Sequence, residues 1–530
     1  MDNQQKNAGH LSKAFHSILS GHPGIAVETE AMPPYFVDLN LDQIIDSITE
    51  DKKEYDLKPF FYTPLTDRDS IIYRQEIFRD LEAIDLLDRL EAFAWNMRTM
   101  RDCLARADKL YYPGQKEAWF LEAVITYCHA VSDLARDLDT ARLNSRGLLA
   151  FRDYLKAYGW SDRFTTLFAE AKQIAAGLAA IRYSIIIKGS TIKVRPYESE
   201  PDYSADIGQT FEKFRQGQVK DYASKLPDYA EMNHVEAKVL EFVAMLNPDI
   251  FTRLKDFCLK SREFRDETVV VFDREIQFYI VCLDHMEKFS GSGLPFCYPG
   301  LSNPGKDIFC HDGFDLALAG KLLDKKAAVV CNDFYLDGKE RIIVVSGPNQ
   351  GGKTTFARTF GQLHYLARLG CPVPGRDARL FVSDRLFTHF ERQENIGNLS
   401  GKLQDDLVRI TEILDQATPD SIIILNEIFT STALSDAIFL SRTVMEKIHG
   451  LDALCVCVTF IDELSVFSEK TVSMVSTVVP ENPAARTFKI IRKPSDGLSY
   501  ALSLSEKYRL TYKSLKERLN HESVSHVPRS

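Results

Sequence analysis

The residues with the plainest chemistry lie between Gly347 and Glu427. Gly347-Pro348-Asn349-Gln350-Gly351-Gly352-Lys353-Thr354 has the spacing G-x-x-x-x-G-K-T, with Thr355 following. An apolar β-branched run, Ile342 to Ser346, leads into it, and a stretch with helical spacing leaves it. Glycines at these positions let a backbone curl so that successive N–H groups meet phosphate oxygens. A helix starting at Lys353 adds the positive end of its dipole. In such a loop the Lys353 ammonium reaches the β- and γ-phosphates and the Thr354 hydroxyl holds Mg²⁺.

A phosphate loop of this kind needs a second strand that ends in acid. Ser421 to Leu425 is the apolar run that fits, and it ends in Asn426-Glu427. Glu427 at the strand tip is placed to polarise water as general base. Asn426 stands where an Asp usually supports the metal. Its amide oxygen can accept a bond from metal-bound water but brings no negative charge, so weaker Mg²⁺ support is expected.

The elements that must position these residues read as follows. Strands are predicted at Arg341 to Ser346, Ser421 to Leu425 and Ala453 to Val458, with further apolar runs at Val472 to Val479 and Phe488 to Ile491. Helices are predicted at Lys353 to Leu369, near Leu403 to Ala417, and at Asp436 to His449. That alternation builds an α/β domain on a largely parallel sheet. Upstream, a short helix is predicted around Leu41 to Ile48, then nearly continuous helix from Thr66 to about Ala180. Ser184 to Val194, broken at Gly189-Ser190, reads as a hairpin. Helical character returns from about Ile207 to Ser290, with Asn247 as a cap and Pro248 at a first helical position.

The fold class is therefore an α/β P-loop NTPase domain, C-terminal, preceded by a mainly α-helical core or lever with a small strand-containing insertion. The expected divisions are an N-terminal segment at 1–58 and the lever at 59–290, with a clamp insertion at 184–225. A linker and entry at 291–339, the ATPase domain at 340–510 and a tail at 511–530 follow. The Gly-, Ser- and Pro-rich run from Gly291 to Gly305 is the linker itself.

Composition is that of an ordinary globular chain: 530 residues, 45% hydrophobic and 26% charged. No run approaches the roughly 20 apolar residues that span a bilayer, and the first residues lack the apolar middle of a secretory signal. Ten scattered cysteines form no paired CxxC clusters, and Cys455 and Cys457 read as buried strand thiols. A cytoplasmic location is the expectation. His285, His311 and His364 have no ligand-spaced partners and read as surface or packing residues. The net charge of −10 means that any DNA partner must meet a local basic patch.

Gly347 to Thr355, GPNQGGKTT, resembles the MutS family's phosphate loop, GPNMGGKST. Further similarity lies in Gly370-Cys371-Pro372-Val373-Pro374, Leu386-Phe387-Thr388, Asn398-Leu399-Ser400-Gly401-Lys402 and the stretch from Asp496 to Leu502. It is strong over about 340 to 505 and faint over about 60 to 330. The resemblance implies an ATPase using ATP and Mg²⁺ as a homodimer through its ATPase domains. Ser400 would reach the nucleotide held by the partner, Asn349 would sense the γ-phosphate, and closure would grip double-stranded or branched DNA. Thr459-Phe460 departs from the family's Thr-His, which puts γ-phosphate sensing and turnover rate in question. Only about 60 residues precede the helical core, too few for the family's mismatch-reading domains.

The insertion is the expected DNA contact, through Lys188, Lys193, Arg195, Lys213, Arg215 and Lys220, with acidic residues such as Glu198, Asp206 and Asp221 interleaved. A mixed-charge solvated surface is the competing reading. So too is an ATP-gated assembly protein, slow or inactive in hydrolysis, whose partner is another protein rather than DNA.

Overall fold

The computed structural model describes residues 15–22, 28–199, 232–302, 305–391, 401–479 and 481–495. The first helices are α1 (Leu41–Thr49), α2 (Lys58–Phe61) and α3 (Arg68–Leu81). Leu41, Ile44, Ile45 and Ile48 line the buried face of α1, as the sequence spacing requires. Next come α4 (Ile84–Lys109), α5 (Pro113–Thr140), α6 (Arg146–Gly159) and α7 (Asp162–Ala179). Pro113 opens α5 at a position where its missing N–H costs nothing.

The predicted hairpin is β1 (Tyr183–Lys188) and β2 (Thr191–Pro196), turning at Gly189 with φ +62°. Helices α8 (His234–Leu246), α9 (Pro248–Lys260) and α10 (Glu267–Ser290) follow. Pro248 opens α9 as expected, but Asn247 does not cap it. Its side-chain amide donates to the Val243 carbonyl at 2.9 Å and so closes α8 instead.

The remaining elements are β3 (Phe296–Cys297), β4 (Gly300–Ser302), β5 (Ile308–Gly313), α11 (Leu316–Asp324), β6 (Asn332–Leu336) and β7 (Ile342–Ser346). Then come α12 (Lys353–Arg368), β8 (Val373–Pro374), β9 (Asp377–Phe381), β10 (Leu386–His389), α13 (Lys402–Gln416) and β11 (Ile422–Asn426). The last are α14 (Leu434–Leu451), β12 (Leu454–Val458), β13 (Thr471–Val479) and β14 (Asn482–Arg492). The run read as a linker, 291–305, thus carries two short strands. β3 pairs antiparallel with β8, and β4 pairs parallel with β9.

Contacts gather the described residues into two compact bodies. One comprises 80–144 and 148–273; the other comprises 16–79, 145–147 and 274 onward. In the first, α4 and α5 pack along each other. Its aromatic core includes Phe151 stacked on Phe272, with ring centroids 3.5 Å apart. The Tyr127 and Tyr158 hydroxyls, both buried, meet at 3.1 Å. In the hairpin, Lys188 lies opposite Thr191, Ile186 opposite Lys193 and Ser184 opposite Arg195. Side chains two apart in a strand share a face, so all three cations stand on one face. Ile185, Ile187, Ile192 and Val194 take the other.

The second body holds a sheet in the order β10-β11-β12-β7-β13-β14, parallel except for β14. Its inner strands β7, β11 and β12 are buried throughout, which is why they read as unbroken apolar runs. Cys455 and Cys457 are buried in β12 as predicted, and burial pushes the Cys457 thiol up to about 12. Ile410 and Ile413 of α13 and Val444, Met445 and Ile448 of α14 join one hydrophobic cluster with Ile423, Leu425 and Cys455.

Helix α12 approaches β11 through Gly361, where a Cβ would fall 2.8 Å from Ile424 and 2.7 Å from Leu39. Gln362, fully buried, donates to the Leu39 carbonyl at 2.8 Å and to Asp315 Oδ1 at 3.1 Å. Residues near Leu39 are thereby stitched to the back of α12. A second sheet, β4-β9-β5-β6, and the β3–β8 pair complete this body.

Asp452, at the end of α14 with φ +58°, gathers cations from three segments. Lys470 Nζ lies 2.5 Å from Oδ1, Arg341 Nε 3.1 Å from Oδ2 and Lys306 Nζ 3.5 Å from Oδ2. Desolvation pushes its carboxyl up, but the bonds from Lys470 and Arg341 outweigh it and bring the pKa down to about 2. A depressed carboxylate stabilises the fold above its unfolded pKa, near 3.9, and loses that contribution as pH falls through its folded value. The side chain is 38% exposed, so solvent screening leaves a modest effect, about 1 kcal/mol or less. Asp452→Asn should therefore lower the melting temperature at pH 7. The difference from the parent should shrink as pH falls from about 4 to about 2 in thermal melts, the limits set by the unfolded and folded pKa values.

Candidate phosphate-loop site

β7 runs straight into Gly347, which adopts φ +113°. The loop passes against β13 so closely that a Cβ on Gly347 would fall 2.9 Å from the Ser476 carbonyl oxygen. On Gly351 it would fall 2.2 Å from Ser476 Oγ. Glycine is required at 347 for conformation and at 351 for space. Gln350 takes φ +59° and Gly352 φ +92°, after which α12 begins at Lys353.

Lys353 is almost wholly buried. Its Nζ donates to the Gly347 carbonyl at 3.0 Å, the Pro348 carbonyl at 3.2 Å and Asn349 Oδ1 at 3.2 Å. Glu427 Oε1 lies 3.8 Å away. Burial lowers the Lys353 pKa, Glu427 pulls it back up, and Arg486 pushes it down again. Thr354 Oγ1 donates to Asn426 Oδ1 at 2.9 Å.

The sheet order explains how residues more than 70 positions apart meet. β12 lies between β7 and β11, and all three are parallel, so their C-terminal ends open on one edge. Asn426 ends β11. Glu427 follows with φ +53° while its N–H donates to the Val458 carbonyl at 2.9 Å. That left-handed turn aims the carboxylate back at Lys353. The Thr459 N–H donates to the Val345 carbonyl at 3.0 Å, tying the end of β12 to β7, and Phe460 beside it is 48% exposed. Thr355 sits in the first turn of α12, its carbonyl accepting from Thr359 Oγ1.

Thr354 and Asn426 present neutral oxygen donors, the kind a small hard cation takes alongside water and phosphate oxygens. Among the described residues, no group of three or more His, Cys, Asp or Glu side chains is arranged to hold a metal. His364 is fully buried, its Nδ1 2.8 Å from the Phe360 carbonyl oxygen, and burial lowers its pKa to about 4. It packs, as predicted.

Gly347, Pro348, Asn349, Gln350, Gly351, Gly352, Lys353, Thr354, Thr355, Asn426 and Glu427 thus converge at one end of the sheet. Ser400 lies outside the described residues, as do Lys213, Arg215 and Lys220; Lys402, at the start of α13, pairs with Glu391. Lys188 and Lys193 are exposed on the hairpin, and Arg195 Nη1 is 3.9 Å from Glu198 Oε2. The hairpin belongs to the other compact body. Two residues at the loop escaped the sequence reading. Ser476 Oγ donates to the Gly351 carbonyl at 2.7 Å, and Arg486 Nε donates to the Asn349 carbonyl at 3.1 Å. Neither belongs to a motif.

A buried strand, a glycine loop closing on a helical lysine and an acid-ended strand two places away define an α/β domain of the phosphate-loop class. Residues 343–512 match the family model of MutS domain V. The chain is 34% identical over 168 residues to the DNA mismatch repair protein MutS of Zymomonas mobilis, covering 31% of this chain and 19% of that one. It is 24% identical over 301 residues to the protein of the same name from Chlorobium phaeobacteroides, covering 54% and 34%. It is 34% identical over 124 residues to DNA mismatch repair protein MutS 2 of Halobacterium salinarum, covering 23% and 14%. The chain spans at most about a third of the length of these relatives. No helix among the described residues is long and apolar enough to cross a membrane.

Proposed function

We propose that this chain binds ATP with Mg²⁺, hydrolyses it slowly, and acts as a nucleotide-gated clamp on double-stranded or branched DNA, working as a homodimer through its ATPase domain. The observation that carries this reading is the convergence of Lys353, Thr354, Asn426 and Glu427 behind the glycine loop. Mg²⁺ supplies charge neutralisation between the phosphates when bound, held by the Thr354 hydroxyl and, through water, by Asn426. Lys353 exchanges its carbonyl partners for phosphate oxygens. Glu427 accepts the proton of the attacking water and Asn349 meets the γ-phosphate. Ser400 of one copy completes the site of the other, as it would in the MutS family. The helical region 59–290 serves as the lever, with its clamp at 184–225.

The DNA part of the proposal rests on the hairpin face that carries Lys188, Lys193 and Arg195 together. Reversing the first two, Lys188→Glu with Lys193→Glu, should weaken duplex binding and flatten its salt dependence by about two phosphate contacts. Gel shifts with duplex and branched DNA at several salt concentrations, with and without ATP, read this out. Failure of the parent chain to bind any DNA form at low salt would remove the clamp. It would favour the second reading, an ATP-gated protein scaffold, to which the uncharged Asn426, the Phe460 substitution and the net charge of −10 also lean.

A further inference from the structure

We propose that Ser476 and Arg486, on β13 and β14, are positioning residues that hold the phosphate loop's N–H groups ready for a nucleotide's phosphates. The inference rests on the reading of the loop just given and adds two residues that lie outside its motif.

The geometry is that of the peptide unit. In a trans peptide the carbonyl and the following N–H point in opposite directions, and non-proline peptides are almost always trans. The Asn349 carbonyl is taken by Arg486 Nε at 3.1 Å, so the Gln350 N–H is turned away from β14. The Gly351 carbonyl is taken by Ser476 Oγ at 2.7 Å, so the Gly352 N–H is turned away from β13. Both donors therefore face the loop's open side.

Two further loop carbonyls, those of Gly347 and Pro348, are gathered by Lys353 Nζ. Turning the Gly347 carbonyl inward sacrifices no donor, because the next residue is Pro348 and has no N–H. Four carbonyls are thus held: two by the strand wall and two by the lysine.

Supporting observations come from both strands. Ser476 is fully buried, and its Oγ occupies the space that a side chain at 351 would need. The Arg486 guanidinium lies close enough to Lys353 to oppose its charge, so it also adds a fixed positive field beside the loop. An anion entering the loop relieves the repulsion between the two cations. Arg486 thereby orients the backbone and favours the charge the backbone is meant to bind.

The test is ADP affinity with Mg²⁺, measured by calorimetric titration alongside the melting temperature, for the parent, Arg486→Ala, Arg486→Lys and Ser476→Ala. Arg486→Ala should weaken ADP binding about tenfold, roughly the loss of one charge-assisted bond. Its melting temperature should stay close to the parent's, because the side chain is partly exposed at the sheet margin. Arg486→Lys, which keeps the charge and a donor, should recover most of the affinity, and Ser476→Ala should weaken binding in the same direction. Unchanged ADP affinity in Arg486→Ala overturns the inference while leaving the nucleotide site intact. So does a loss matched by a fall in melting temperature, or a lysine variant as poor as alanine. A parent chain that binds no ADP overturns the proposed function and this inference together.

Discussion

Glu427→Gln will cut steady-state ATP hydrolysis by at least about 100-fold, the usual contribution of a positioned general base, while ATP binding stays at the parent level or tightens. Gln is nearly isosteric and keeps the left-handed turn at this position, so the backbone bond to Val458 survives. What disappears is the ability to take a proton from water. The same change also removes a negative charge 3.8 Å from Lys353 Nζ, freeing the ammonium for phosphate and sparing the γ-phosphate a neighbouring anion. Phosphate release at saturating ATP and equilibrium nucleotide titration separate the two effects. Unaltered turnover would end the role of Glu427 as base, and lost binding would mean that the carboxylate serves to hold the loop.

The second large effect is on stability. Gly370→Ala should destabilise the body that holds the phosphate loop by about 3 kcal/mol or more, the sum of a left-handed backbone penalty and overpacking. Gly370 ends α12 with φ +77°, its N–H donating to the Ala367 carbonyl and that of Cys371 to the Leu366 carbonyl. A Cβ there would fall 2.6 Å from Arg74 Cβ, an atom anchored to the backbone of α3 and unable to swing aside. Arg74 is itself fully buried, donating to the Leu19 carbonyl at 2.8 Å and to the Leu369 carbonyl at 3.0 Å. The clash therefore spreads into the anchorage at the C-terminal end of the phosphate-loop helix. Scanning calorimetry of the parent and variant checks this, and coincident melts would show that the turn tolerates a side chain.

These two sites differ in how far the sequence announces them. The loop from Gly347 to Thr354 and the strands on either side of it are legible because inner parallel strands, buried on both faces, must be continuous apolar runs. Glu427 is legible because it terminates one of them. The second sheet is not, for its strands mix buried and exposed positions instead of forming unbroken apolar runs, and they pair over large separations, as Gly300 does with Arg379. The three-residue β4 also lies in a Gly- and Pro-rich run that reads more readily as a connection. Ser476 and Arg486 are silent for another reason. A serine inside an apolar strand and an arginine in a mixed one acquire meaning only when tertiary pairing brings the loop against them. Asn247 shows the local version of the same difficulty: a residue suited to start one helix was recruited to finish the one before.

The bond between Gln362 and the Leu39 carbonyl joins positions 323 residues apart, and the Gly361 notch admits Leu39 beside Ile424. During synthesis Leu39 leaves the ribosome long before α12 or β11 exists. Its burial must wait while most of the chain is made, and so large a loop closure makes this assembly slow. In the interval the early aromatic stretch from Tyr35 to Tyr62 is exposed surface seeking a partner. The nascent chain should accordingly depend on holdase chaperones, and a fragment started at residue 340 should emerge with the back of α12 bare and aggregate.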